Sequence, residues 1–334
     1  MPESTQIRRR RSLDNSWRPG DYATADVSDG STDATSDSDS LSDLLLDRRL
    51  PGELEREIFE ISALSLPVSI PKLMLVARRV HDWVEPLLYR VIFIGGSPRM
   101  NIFPPFTMDI LLRVVEKMPT GFLHNAVRYL FIGSPPTPTD QEWLENGKAI
   151  LSACTGLKDL ASLADLAPHE DILQNLRLEH FTLHLDALFP LEPANFAHPV
   201  FTHVTHLELL GQHGQMEEWA GIASMPHLTH LSFEALAQCG PLSKVLRTCE
   251  RMECLLLLLG VYHLAHTAFA ESTGITEDVR FVMMVPKTWH AYWQLGAAGD
   301  KTYWTLAEAF ISAKRAGKIS RLEYYISDNP HSLD

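Results

Sequence analysis

Residues 204–209 read Val-Thr-His-Leu-Glu-Leu, and residues 228–233 read Leu-Thr-His-Leu-Ser-Phe. Both follow L-x-x-L-x-L, with apolar residues at positions one, four and six. Looser versions recur at Val127–Ile132, Leu157–Leu160, Leu178–Leu183, Met252–Leu257 and Val279–Met284. Successive starts differ by 30, 21, 26, 24, 24 and 27 residues, so the spacing is close to periodic. Self-similarity at such a period marks an array of stacked supersecondary units. Between the runs lie helix-capable stretches. One is Met216–Ser224, with Trp219 and Ile222 three apart. Another is Pro241–Cys249, with Leu242, Val245, Leu246 and Cys249 on one face. One unit alone cannot bury its apolar face, whereas stacked units share a continuous core. The expectation for residues 96–285 is therefore an α/β domain with parallel strands on one side and helices on the other. An ordinary α/β parallel sheet fits the same alternation.

Side chains alternate across a strand, so positions four and six face the core and positions three and five face the other way. The third positions are Tyr129, Asp159, His180, His206, His230, Cys254 and Phe281, stacked on strands roughly 4.8 Å apart. His and Cys are zinc ligands, but a ladder supplies a line of donors where zinc needs a tetrahedron. The repeated Thr-His-Leu at 205–207 and 229–231 is explained by copying of the repeat. The HxxH pairs His203/His206, His227/His230 and His263/His266 add little. No metal or cofactor is assigned. The run Leu255–Leu259 is apolar on both faces, so Leu256 and Leu258 on the open face need a cover, from the C-terminal segment or from a partner. The open-face candidates for partner binding are His180, His206, Glu208, His230, Leu256 and Leu258.

The segment 286–334 is rich in Trp and Tyr. Within it, Tyr303–Ala316 reads as a helix. Thr302 caps it, Trp304, Ala307 and Ile311 form its stripe, Lys314 and Arg315 suit its last turn, and Gly317 ends it. Two roles are open: a cap that seals the last repeat, or an aromatic surface for a partner protein.

Residues 1–47 differ in composition. They hold ten acidic and five basic residues and few large apolar ones before Leu44, too little to offset the entropy of ordering. A disordered leader is expected. Ser12 follows the basic block Arg8–Arg11, and Ser36 and Ser40 each precede an Asp by three, so all three resemble kinase sites. A solvated leader without regulation is the plainer reading. The net charge of −13 argues against nucleic-acid and anionic-membrane partners. The four cysteines (Cys154, Cys239, Cys249, Cys254) form no CxxC and no disulfide framework, which suits reduced thiols in an intracellular, cytoplasmic or nuclear protein. There is no Gly-rich phosphate loop, GxSxG or HExxH, so no enzyme activity is expected.

Residues 48–95 read as a compact helical unit. Pro51 suits the first helical position, and Leu54, Ile58 and Ile61 fall on one stripe. Pro67 and Pro71 bracket a break. Leu73, Val76, Ala77, Val80 and Val84 form a second stripe, Pro86 starts a third short element, and Val91–Ile94 reads as a strand.

The ordered residues Leu50-Pro51, Glu53-Leu54, Ile58-Phe59, Leu73, Val76-Ala77-Arg78 and Pro86-Leu-Leu-Tyr-Arg90 resemble the F-box. That motif binds the Skp-type adaptor of cullin-based ubiquitin ligases. Ala77 stands where many members have Cys, Val80 where an aromatic is common, and Tyr89 where Trp is usual. The chain as a whole resembles F-box-like proteins with degenerate leucine-rich repeats, of the kind expanded in mushroom-forming fungi. The repeat spacing is close to the roughly 20–29 residues of leucine-rich repeats, although the hallmark Asn or Cys is missing. The resemblance implies a three-helix F-box-like unit, a degenerate leucine-rich-repeat-like array and a C-terminal aromatic helical cap. It implies adaptor docking through Leu50, Pro51, Leu54, Ile58, Phe59, Leu73, Val76, Pro86 and Leu88, with an unknown target protein on the repeat face. A repeat-based scaffold whose N-terminal helices merely cap the fold is the alternative.

Overall fold

The computed structural model describes residues 50–95, 102–135, 137, 141–190, 193–211, 221–234, 239–259, 274–285 and 289–326. The leader 1–47 with its serines, the start of the expected helix at 216–224, and the pair His263/His266 lie outside these residues.

Each repeat run becomes one short strand. The strands are β1 (Val91–Ile94), β2 (Tyr129–Ile132), β3 (Asp159–Ser162), β4 (His180–Leu183), β5 (His206–Leu209), β6 (His230–Glu234), β7 (Cys254–Leu258), β8 (Phe281–Met284) and β9 (Tyr325–Ile326). They form one all-parallel sheet in sequence order. Among the described residues the helices are α1 (Gly52–Ser65), α2 (Ile70–Leu73), α3 (Arg78–Leu88), α4 (Met108–Lys117), α5 (Phe122–Ala126), α6 (Gln141–Ala153), α7 (Glu170–Leu173), α8 (Leu185–Leu188), α9 (Cys239–Thr248), α10 (Trp289–Ala297) and α11 (Tyr303–Arg315). None is long and apolar enough to cross a membrane.

Parallel neighbours require a return path between strands. Where strand starts are only 21 or 26 residues apart, that path shrinks to single turns such as α7 and α8. Positions one, four and six of the runs meet in the main core. Val204, Leu207 and Leu209 are fully buried there, as are Leu231 and Phe233. Leu151 of α6, Leu173 of α7 and Leu242 of α9 close this side.

The register confirms six of the seven third-position residues and corrects the last. Tyr129, Asp159, His180, His206, His230 and Cys254 are consecutive partners. Phe281, however, pairs with Leu255 rather than Cys254. A one-residue slip sends every side chain to the opposite face. Phe281 and Met283 therefore enter the main core, and Val282 and Met284 turn to the open face.

That face is apolar at both ends and polar in the middle, and the C-terminal segment covers both ends. Trp293 and Ala297 of α10 pack on Val91, Phe93, Phe131 and Ala161. Tyr303, Trp304, Ala307, Phe310 and Ile311 of α11 pack on Leu256, Leu258, Val282 and Met284. The helices thus lie across the sheet instead of sealing its end, and only β9 extends the last strand. The reason is the surplus of apolar side chains on the open face of β1–β3 and β7–β8, which must be taken out of water. Thr302 caps α11 with a reciprocal capping box. Lys314 is buried rather than solvated in the last turn, and its amine donates to the Phe281 carbonyl at 3.4 Å.

At the N-terminus α1, α2 and α3 build their own small core from Ala63, Ile70, Val80 and Val84, with Phe59 and Trp83 against it. Arg79 of α3 donates two hydrogen bonds to Glu55 of α1, at 2.6 and 3.1 Å. Pro51 stands at the cap, one residue before α1. Pro86 does not start a separate helix. It sits in the last turn of α3, where it leaves out one i→i−4 backbone hydrogen bond. The unit continues into the sheet: Tyr89 is buried against Phe106 and Phe122, and β1 pairs with β2.

Candidate functional site

Two places on the molecule carry features that packing alone does not explain. The first is the outer surface of the N-terminal helices. On α1 the residues Phe59 and Ala63, one turn apart, face the unit's core. The stripe Leu54, Ile58 and Ile61 faces outward, each side chain about half exposed. Of the eleven exposed large apolar side chains among the described residues, eight fall between Leu54 and Val76, and Val76 is 60% exposed. A helix whose apolar stripe points to solvent is unusual, because folding normally turns that stripe inward. Apolar surface concentrated in this way is a candidate interaction site. Pro51 is exposed beside the stripe, and Leu50 is exposed too. The other candidates do not share this surface. Phe59 and Leu73 pack against the unit's core, Leu88 packs against both that core and the sheet core, and Pro86 is half-buried.

The second place is the polar middle of the open face, between α10 and α11. A cleft of about 260 Å³ lies there, lined by Asp159, His180, His206 and Glu208 from the sheet and by Trp293, Tyr303, Trp304 and Glu308 from the helices. Its floor is the histidine ladder. The rings of His180 and His206 stack with centroids 4.2 Å apart, and those of His206 and His230 at 4.1 Å. Trp304 meets His206 and His230 edge-on. Each of the two later histidines is pinned by the threonine before it: Thr205 Oγ1 lies 2.9 Å from His206 Nδ1, and Thr229 Oγ1 lies 2.8 Å from His230 Nδ1.

Burial governs the charges here. It pushes His206 down to about 2, helped by the neighbouring His180 and His230, so this imidazole is neutral. His180 and His230 are lowered for the same first reason, although Glu308 opposes the shift at His230. Burial pushes the Asp159 carboxyl up to about 7, while the Trp293 indole N–H, donating to it at 2.8 Å, pulls the other way. Glu208 is buried and accepts from Tyr303 and from Thr182, the latter at 3.1 Å. Burial and that carboxylate raise the Tyr303 phenol well above its ordinary range.

The open-face candidates therefore separate. His180 and His206 reach the cleft. Glu208 and His230 are buried, and Leu256 and Leu258 lie under α11, so none of these four offers a flat surface to a protein. Of the two covers open for Leu256 and Leu258, the C-terminal segment is the one present. Sequence reasoning missed Glu308, whose signal was present: it lies one turn from Trp304 and three residues before Ile311, a carboxylate placed on the helix's apolar side. No protein-family profile matches the chain, and no curated protein is similar to it.

Proposed function

We propose that the chain is a non-enzymatic substrate-recognition adaptor of a cullin-type ubiquitin ligase. In this reading α1–α3 form an F-box-like unit that docks a Skp-type adaptor. The sheet with its helices is a degenerate leucine-rich-repeat-like array that presents a target protein. The carrying observation is the outward stripe Leu54–Ile58–Ile61, joined by Val76, on a unit whose other side already has a complete small core. The departures from the F-box pattern, Ala77, Val80 and Tyr89, fall outside that stripe. Val80 and Tyr89 are buried, and Ala77 packs against the unit's core, so all three lie away from the exposed stripe. Target recognition narrows to the rim of the cleft, where His180 and His206 remain accessible.

The scaffold reading has its own support, since Tyr89 and β1 anchor the helices to the sheet as a cap would be anchored. Co-purification with a Skp-type adaptor separates the two. Wild type is expected to bind. Leu54→Asp combined with Ile58→Asp is expected to lose at least about 100-fold in affinity, because two apolar contacts worth about 1–1.5 kcal/mol each disappear and two charges enter the interface. Both positions are exposed, so the fold should persist, as circular dichroism would show. Failure of wild type to bind under conditions in which a known F-box protein binds leaves the scaffold reading standing.

A further inference from the structure

We propose that His206, His230 and Glu308 form a binding site for a divalent transition-metal ion, zinc above all, with an open coordination position toward the cleft. The inference is independent of the docking reading, because none of its residues lies in α1–α3.

The ladder alone argued against a metal, since histidines in register on parallel strands give a row of donors. The tertiary structure adds a donor from outside the row. Glu308 descends from α11, and its Oε1 lies 3.1 Å from His230 Nε2. Two ligands at about 2.0–2.1 Å from a tetrahedral zinc are about 3.3 Å apart, so this edge already has the required length. One donor atom from each of His206, His230 and Glu308 lies within 4.8 Å of the other two. Glu308 is half exposed, so its carboxylate is free to adjust.

The surroundings select the protonation state a metal needs. A histidine ligand offers a bare nitrogen while its other nitrogen is held by an acceptor that fixes ring and tautomer. Thr205 Oγ1 donates to the Glu179 carbonyl at 3.0 Å, and Thr229 Oγ1 donates to the Thr205 carbonyl at 3.2 Å. With its own proton so used, each hydroxyl is an acceptor for the Nδ1–H of the next histidine in the tautomer that a metal at Nε2 requires. In that tautomer Nε2 of both rings carries the lone pair. At His230 the Glu308 carboxylate lies 3.1 Å from Nε2, so the two face each other across a position that a bridging cation takes, a proton or a metal ion. Two imidazoles and one carboxylate, with no thiolate, form a donor set that suits zinc and leaves a fourth position open. His206 and Glu308 both line the cleft, so that position faces it.

The test uses the full chain with zinc chloride alone, by titration calorimetry after removal of metal with a chelator. Glu308→Gln and His206→Asn are compared with wild type. Glu308 is on the surface, so its variant keeps the fold even if the buried ladder does not tolerate Asn. The expected result is one zinc per chain in wild type and a loss of at least about tenfold in affinity in each folded variant. The cobalt-substituted protein should show visible absorption that Glu308→Gln abolishes. Absence of zinc uptake by wild type up to about 100 µM overturns the proposal, and so does undiminished uptake by Glu308→Gln.

Discussion

Replacing Asp159 with Asn is expected to stabilise the protein at neutral pH and to remove part of its pH dependence. Asp159 is 8% exposed and lies beneath α10, where the Trp293 indole donates to it at 2.8 Å. Burial raises its carboxyl from the ordinary 3.8 to about 7. The folded chain thus holds a proton that the unfolded chain releases between about pH 4 and pH 7. For a group with a raised folded-state pKa, the stabilising contribution is complete below the unfolded value and is lost as pH rises through the folded one. A shift of about three units at 1.36 kcal/mol each amounts to about 4 kcal/mol. Asn is neutral at every pH, has nearly the same shape and still accepts the indole N–H. The two proteins should be of similar stability near pH 4, and the Asn variant should be more stable by about 4 kcal/mol near pH 7.5. Urea unfolding followed by tryptophan fluorescence at half-unit steps of pH measures the difference, and subtraction cancels the other carboxylates. A difference that does not change with pH, or that favours Asp at pH 7.5, refutes the burial argument.

Two further substitutions probe the packing of the sheet and of its connecting turns. Phe131→Ala removes a fully buried ring that stacks on Phe93 at 4.1 Å and lies under Trp293, so a loss of about 3–5 kcal/mol is expected in the same unfolding assay. Gly156→Ala would place a methyl 1.9 Å from the His124 carbonyl oxygen. Backbone on both sides must then shift, and a loss of several kcal/mol, seen as a large drop in the thermal midpoint, is expected.

Much of the architecture is legible in the sequence. The L-x-x-L-x-L spacing locates the core-facing residues of β2–β7, because side-chain alternation along a strand is a local property. It also locates the histidine ladder, since strands that neighbour in sequence order stack like positions. Thr302 and the stripe of α11 are equally readable, as capping and helical periodicity need only a few residues. The exception in register, Phe281, shows the limit. Phe281–Met284 are four apolar residues in a row, so either alternate pair could face inward, and only pairing with Leu255 chooses. The stripe Leu54–Ile58–Ile61 shows a second limit. Periodicity identifies an apolar face but does not say whether this chain covers it, and here Phe59 and Ala63 take the inward side.

The sequence by itself determined the strands β1–β8, the inward residues of β2–β7 and the row of histidines, all of which follow from short-range geometry. Only the tertiary structure decided what lies over that row. The fold of α10 and α11 back across the open face is driven by apolar side chains more than a hundred residues away, Phe93 and Phe131 against Trp293, and it brings Glu308 to His230. Burial is not directional and leaves no local spacing to read, so the cover, the cleft and the third donor emerge only when the whole chain has packed.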